Sequence, residues 1–184
     1  MTFEDVLQNG KLWAVIYDGT TENVLTQTLE SWINPIFLRQ FFTENQADLE
    51  KYFKITNLDQ AIFDTITDAV SLSCVILDVK PDANLDNLFR PLENSRMTEM
   101  LLSREKAKGN RLSGHPSWLR IYAIKLEDGV YLVTGGTIKL THLMRDRKHT
   151  LEQLSRMEMV RNHLLEHSII DKDGLTDYNN TSQL

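Results

Sequence analysis

The chain has 184 residues, a formal net charge of −6, and a composition of 41% hydrophobic and 25% charged residues. This length suits one domain with a real hydrophobic core, and the composition is ordinary for a soluble globular protein. Cys74 is the single cysteine, which excludes a disulfide scaffold and is compatible with a reducing cytoplasm. We find no run of about 18 apolar residues and no apolar signal segment at the N-terminus, so we expect a cytoplasmic protein without a membrane partner.

The first part of the chain predicts a strand and then a helix. Residues 11–18, KLWAVIYD, are bulky and β-branched and end at Asp18-Gly19, which is typical of a strand and a turn. Residues 19–34 fit either a second strand or a short helix. Asn34-Pro35 predicts a helix start, with Asn as the cap and Pro in the first turn, and a loose apolar stripe carries this helix to about residue 53.

A second helix is predicted up to about residue 77. Thr56 and Asp59 resemble a capping box at its beginning, and Lys80-Pro81 follows its end. The residues that define its apolar spacing are Leu58, Ile62, Ile66, Ala69 and Val70. Cys74 lies near its end in the apolar run LSCVIL, which favours a buried and inert thiol.

The middle of the chain predicts three consecutive strands. Residues 81–97 are interpreted as a connecting loop, and a strand is expected near residues 100–107. WLRIYAIKL at 118–126 mixes apolar and polar residues as a strand does, Glu127-Asp128-Gly129 predicts a hairpin turn, and residues 130–136 predict the returning strand.

The last helix is predicted to begin at Thr150, which forms a capping box with Gln153. Its expected buried stripe consists of Leu151, Leu154, Met157, Val160 and Leu164. Residues 171–184 are expected to form a flexible C-terminal tail.

The predicted order is therefore strand, helix, helix, strand, strand, strand, helix. Three consecutive strands after two helices indicate an α+β fold, in which the helices pack on one face of a small antiparallel sheet. We expect residues 1–170 to form a single domain with enlarged N-terminal helices.

Charge is distributed unevenly along the chain. Residues 1–95 contain 6 Lys and Arg against 15 Asp and Glu, whereas residues 96–148 contain 11 against 5. Such a basic block in an acidic chain can mark an anion site, although it can also neutralise neighbouring acidic helices. The adjacent Gly135-Gly136 pair does not fit a Walker loop, because that loop needs two glycines five residues apart and a lysine directly after the second.

Three segments carry a resemblance to a known family: WLRIYAIKLEDGVYLV, GGTIKLTHLM and the helix start HTLEQL, all within residues 118–154. In amino-acid sequence and in element order they resemble the RelE/HigB-like toxin superfamily of bacterial toxin–antitoxin systems. The resemblance implies a microbial endoribonuclease that cuts messenger RNA on the ribosome without a metal or other cofactor. It also implies a small helix-turn-helix antitoxin as partner.

Metal-independent cleavage of RNA requires specific side chains. A base removes the proton of the ribose 2′-OH, the oxygen attacks phosphorus, an acid protonates the leaving oxygen, and cations neutralise the transition state. By the resemblance, Arg120 and Lys139 match an arginine and a lysine of the family, and His142 falls near its second lysine. Tyr122 shares a strand face with Arg120 and completes the set of candidate catalytic residues. Alternation along the strands and proximity in sequence then suggest an RNA-binding set, which consists of Arg104, Lys106, Lys108, Arg111, Arg145, Arg147 and Lys148.

Other interpretations remain open. The chain could be a binding module that keeps the fold without the chemistry, or a protein whose basic face docks on an acidic partner. Lys148 and His149 precede a helix whose N-terminal amides could receive a phosphate, and a solvated loop is an equal alternative. His163 and His167 have metal-ligand spacing, but no third ligand is evident, so two exposed histidines are the favoured interpretation.

Overall fold

A computed structural model describes residues 1–78, 85–92, 102–108 and 115–182 of the chain. Its core is a six-stranded sheet in the order β1-β2-β6-β5-β4-β3. The strands are β1 (Thr2–Asp5), β2 (Leu12–Ile16), β3 (Arg90–Pro91), β4 (Ser103–Lys108), β5 (Leu119–Glu127) and β6 (Val130–Ile138). All neighbours pair antiparallel except β2 and β6, which run parallel.

Six α-helices surround the sheet within the described ranges. They are α1 (Val24–Ile33), α2 (Pro35–Glu44), α3 (Gln46–Asp48), α4 (Leu58–Leu77), α5 (Lys148–Glu166) and α6 (Lys172–Ser182). A π-helical turn at Leu49–Phe53 follows α3, and short 3-10 turns occur at Leu85–Asn87 and Met144–Asp146. The predicted α+β class is confirmed, and the ambiguous segment 19–34 forms helix α1 rather than a strand.

The helices cover both faces of the sheet, whereas the sequence predicted one face. Two consecutive residues of a strand point to opposite faces. Gly135 faces Gln153 of α5, and the next residue, Gly136, faces Thr28 of α1, so α1 and α5 lie on opposite sides of β6. The continuous burial of β2 over Leu12–Val15 has the same cause, because a central strand with two covered faces is apolar throughout.

The N-terminal cap of one helix agrees with the prediction, and the caps of two other helices differ from it. Asn34 caps α2 by accepting hydrogen bonds from the amides of Ile36 and Phe37, as predicted. Helix α4 is capped by Asn57 and not by the predicted Thr56. Helix α5 begins at Lys148, and the hydroxyl of Thr150 donates to the carbonyl oxygen of Arg147 at 2.9 Å instead of accepting from an amide.

The predicted flexible tail is helix α6. The side chain of Leu175 is fully buried, and Asn179 exchanges two hydrogen bonds with the backbone of Phe3 in β1, one of them at 3.1 Å. Asn179 therefore continues the hydrogen bonding of the sheet edge with a side-chain amide, which has both a donor and an acceptor. This contact joins the C-terminal helix to the first strand.

Two members of the predicted apolar stripes are exposed, because the stripes were inferred from apolarity alone. Val70 in α4 and Leu151 in α5 are 52% and 47% exposed, whereas Met157, Val160 and Leu164 of the α5 stripe are buried as predicted. Cys74, predicted to be buried, is exposed. By length and composition α4 is also the one helix in the described chain that could cross a membrane, and less than half of it is buried.

Candidate functional site: a cluster of cations on the sheet

Two cross-strand rows of side chains lie on the face of the sheet that α5 partly covers. In the first row Arg90 of β3 stands opposite Lys106 of β4, which stands opposite Tyr122 of β5. In the second row Lys108 of β4 stands opposite Arg120 of β5. Directly opposed residues of antiparallel strands lie about 5 Å apart on the same face, so strand pairing itself gathers these cations.

Lys139 extends the group from the segment after β6. We call Arg90, Lys106, Lys108, Arg120 and Lys139 the cation cluster. Burial and the positive charge of Arg120 lower the pKa of Lys139. The carboxylate of Asp146 favours the charged form of Lys139, whereas the charges of Lys106 and Lys108 oppose it. The charges therefore repel one another, and a bound anion would relieve that repulsion.

Repulsion within the cluster also affects the two lysines of β4. The charge of Arg120, followed by burial and the charge of Arg90, lowers the pKa of Lys108. Burial is the largest cause of the lowered pKa of Lys106, with Lys108 and Arg120 next. Lys106 also donates from Nζ to the carbonyl oxygen of Leu92 at 2.7 Å. Lys108 is exposed, and it is the member of the cluster most accessible to solvent on this strand.

Arg120 is held by the backbone at the beginning of β5. Its Nη1 donates to the carbonyl oxygens of Ser117 and Leu119, both at 2.7 Å, and burial lowers its pKa. Its Nε and Nη2 have no protein partner in the described part of the chain. Half of the guanidinium thus fixes the side chain, and the other donors remain for an anion, which a guanidinium can bind with two parallel hydrogen bonds.

Lys139 organises the loop that leaves β6. Its backbone amide donates to the carbonyl oxygen of Trp118 at 2.8 Å, and its Nζ donates to the carbonyl oxygens of Thr141 and His142. An ammonium group has three donors, so these two bonds leave one for a ligand. The lysine is therefore both a structural group and a member of the cluster.

The predicted proton-transfer residues are placed less favourably. Tyr122 is only 1% exposed, and burial raises its pKa well above the usual range. The sequence predicted Tyr122 on an open RNA-facing surface, but α5 covers this part of the strand. His142 is exposed, and its ring stands edge-on to Tyr52 with ring centroids 5.0 Å apart. Its carbonyl oxygen, rather than its ring, contacts the cluster through Lys139.

The remaining predicted RNA-binding residues do not all join the cluster. Arg104 forms an ion pair with Glu158 at 3.5 Å, and Lys148 lies 3.9 Å from Glu152. Arg147 binds Asp48 with two hydrogen bonds of 2.6 Å, from Nε and Nη2.

Two further predicted residues complete this comparison. Arg145 is exposed, and Arg111 lies outside the described residues. The basic block of the sequence therefore divides into a cluster on the sheet and a set of separate cations, most of which have acidic partners.

Sequence reasoning missed two residues of this face. Arg90 was interpreted as part of a loop, because a two-residue strand has no periodicity to detect. Gln153 was interpreted as a capping residue, but its Oε1 is buried beside Gly135 and has no hydrogen-bond partner in the described part of the chain. The hydroxyl of Tyr122, which stands opposite Gly135, is also buried and unpartnered there.

Neither a search for metal ligands nor a comparison with known proteins assigns a function to the chain. Within the described ranges there is no group of three or more His, Cys, Asp or Glu side chains that could hold a metal ion. No family model, no curated protein and no solved structure matches the chain.

Proposed function

We propose that the chain binds RNA through the cation cluster and acts on messenger RNA as a RelE/HigB-like toxin. The observation that carries this proposal is the pairing of Lys108 with Arg120 and of Lys106 with Arg90 on one face of the sheet. These four cations on neighbouring strands, together with Lys139 as the fifth, form a surface suited to a polyanion. The biological partners in this proposal are mRNA, the ribosome and a helix-turn-helix antitoxin in the bacterial cytoplasm.

The proposed reaction is metal-independent cleavage of the phosphodiester by the adjacent 2′-OH. Arg120 and Lys139 would neutralise the charge that develops on the phosphorus oxygens. His142 is the accessible candidate for moving protons, because its ring is exposed. Tyr122 can take part only if α5 moves, since its hydroxyl is buried and its pKa is raised.

A second candidate function is RNA binding without cleavage. The burial of Tyr122 and the two backbone bonds of the Lys139 ammonium group favour this candidate. In this case the cluster would hold the phosphates, and no side chain would be in position to remove the 2′ proton. The two functions share the binding surface and differ in chemistry.

Expression in bacteria, followed by incubation of the purified protein with RNA, distinguishes these candidates. A toxin should arrest growth and cut RNA, with or without ribosomes, in the presence of a chelator. Lys139→Ala should lower the rate about 100-fold or more, as is typical for loss of a cation that stabilises a transition state, and Lys108→Gln should weaken RNA binding. Lys108→Gln is the cleaner variant, because the exposed Lys108 side chain has no protein partner in the described chain.

Lys172→Gln in α6 is the matched control, because it removes the same charge from an exposed position outside the cluster. Each variant is checked for an unchanged thermal unfolding curve. RNA binding without cleavage or growth arrest would establish the second candidate. Absence of RNA binding at low salt would contradict both functions.

A further inference from the structure

The outward face of α4 is apolar and uncharged over most of the helix. Phe63, Val70 and Leu77 are 66%, 52% and 42% exposed, and Cys74 is also exposed. These positions recur at intervals of three, four and seven residues, which places them in one stripe along the helix. From Phe63 to Leu77 the exposed face contains no charged side chain.

The charged side chains of the same stretch face the interior. Asp64 and Asp68 are 5% and 1% exposed, and Asp64 accepts from Gln60 at 2.7 Å and contacts His115 at 3.3 Å. A surface helix ordinarily directs charges to solvent and apolar residues to the core. In α4 both aspartates of this stretch are buried while apolar side chains are exposed, so its exposed face is suited to contact with another molecule.

Apolar surface continues from α4 onto α2. The ion pair between Arg39 and Asp59 joins the outward faces of the two helices. Ile36, one turn before Arg39, is 80% exposed, and its neighbour Phe37 is 41% exposed. Taking about 200 Å² for a whole aromatic residue, the apolar side chains of this surface expose on the order of 700 Å². Each partner of a standard protein interface contributes about 800 Å².

From these features we infer that two copies of the chain pair through α4, antiparallel, about a two-fold axis at Val70. The stripe has nearly the same spacing in both directions from Val70, so Phe63 of one copy meets Leu77 of the other. A two-fold interface must complement itself, and the α4 stripe from Phe63 to Leu77 does so without like charges facing each other. This matters because each chain otherwise carries a net charge of −6.

Helix geometry supports the pairing. Fourteen steps from Phe63 to Leu77 extend about 21 Å along the axis at 1.5 Å per residue. Alternating spacings of three and four residues favour packing at about 20° between helix axes, as in two-stranded coiled coils. The cation cluster lies on the sheet rather than on α4, so the pairing is independent of the proposed RNA function.

Sedimentation equilibrium over a concentration series tests the pairing. The full chain should reach twice its monomer mass, and Val70→Arg should weaken association about 30-fold or more, because it places two like charges at the axis. Met159→Arg is the matched control, since Met159 is a 47% exposed apolar residue on α5. It should leave the dimer intact. A monomeric wild-type chain, or a Val70→Arg dimer as strong as wild type, would overturn the inference.

Disulfide formation tests the geometry. In an antiparallel pair centred on Val70, Cys74 faces residue 66 of the other copy, so two Cys74 thiols do not meet. The variant Cys74→Ser with Val70→Cys should therefore form a disulfide-linked dimer under mild oxidation, whereas the wild-type chain should not. Linkage through Cys74 at comparable yield would overturn the antiparallel arrangement.

Salt dependence separates this inference from the proposed function. Association through an uncharged apolar face should persist at high salt, whereas RNA binding should weaken. A chain that stays monomeric and instead binds lipid vesicles or another protein through α4 would contradict self-association without affecting the test of RNA binding.

Discussion

The side-chain oxygen of Gln153 in α5 occupies the place where a Cβ atom would stand on Gly135 in β6. On the other side of the strand, a Cβ on Gly136 would come within 2.5 Å of Thr28 Cγ2 in α1 and 3.0 Å of the carbonyl oxygen of Arg120. The Gly-Gly pair of the sequence thus admits one helix on each face of the sheet. The two glycines therefore make room for helix packing on the sheet.

This arrangement predicts unequal costs for two alanine substitutions. Gly136→Ala should lower the free energy of unfolding by about 1–3 kcal/mol, because a rigid backbone oxygen and a short side chain confront the new methyl group. Gly135→Ala should cost less than about 1 kcal/mol, since the end of Gln153 can rotate away and alanine restricts the unfolded chain. Chemical denaturation measures both values.

Thr28→Ser supplies the internal control for that comparison. It removes the methyl group that faces Gly136 and keeps the hydroxyl, so it should recover part of the stability lost in Gly136→Ala. Equal losses for the two glycine variants would show that the helices are not packed closely against both faces.

A second prediction concerns the salt dependence of RNA binding. Each phosphate contact of a single strand contributes about 0.7 unit to the slope of log K against log salt concentration. Replacing both Lys106 and Lys108 by glutamine should therefore reduce the slope by up to about 1.4 units. Fluorescence anisotropy with a labelled RNA at several salt concentrations measures it. The control variant Lys172→Gln should have the slope of the wild-type chain. An unchanged slope in the double lysine variant would show that RNA binds outside the cation cluster.

Sequence reasoning predicted the elements better than their environment. The hairpin of residues 118–136 and the cap at Asn34 depend on neighbouring residues and were predicted correctly. The burial of Tyr122 and the exposure of Val70 depend on which helix covers which face, and periodicity alone does not contain that information. Alternation could group Lys106 with Lys108 and Arg120 with Tyr122 within each strand. Placing these pairs and Arg90 on one face of the sheet required the register of β3, β4 and β5.

The pH dependence of stability should reflect two histidines. Burial is the largest cause of the lowered pKa of both His149 and His163 in the folded chain. At pH values near and below the ordinary pKa of 6.5, the unfolded chain therefore binds more protons than the folded chain. The contribution of the two neutral histidines to the free energy of unfolding should be fully present above that pH and should decrease as the pH falls through 6.5.

Urea denaturation between pH 8 and about pH 5 tests this expectation. The double variant His149→Gln, His163→Gln should flatten the dependence, while His142→Gln, at an exposed position, should keep it. The Asp86 carboxyl does not interfere, because hydrogen bonds from Tyr131, Lys125 and Gly129 outweigh burial and hold its pKa below the usual 3.8. A wild-type profile without a decrease in this range would contradict the prediction.

The C-terminal helix should be required for full stability. Leu175→Ala should lower the free energy of unfolding by about 2–5 kcal/mol, because the leucine is fully buried and its loss leaves a cavity. Asn179→Ala should also destabilise the chain, since it removes both bonds to the Phe3 backbone. Thr176→Ala, at an exposed position on the same helix, should change stability little. If Leu175→Ala has nearly wild-type stability, residues 171–184 are a flexible tail rather than a helix packed on the core.

The parallel pairing of β2 with β6 has a consequence for the order in which the protein can form. Residues 12–14 pair with residues 131–133, so β6, the strand partner of the N-terminal hairpin, is synthesised long after β2. Until then β2 presents an unpaired, wholly apolar edge, which is a site for aggregation or for a chaperone. Contacts between such distant segments slow folding, because a long loop must close before they form. We therefore expect the nascent chain to complete its sheet only after β6 has left the ribosome.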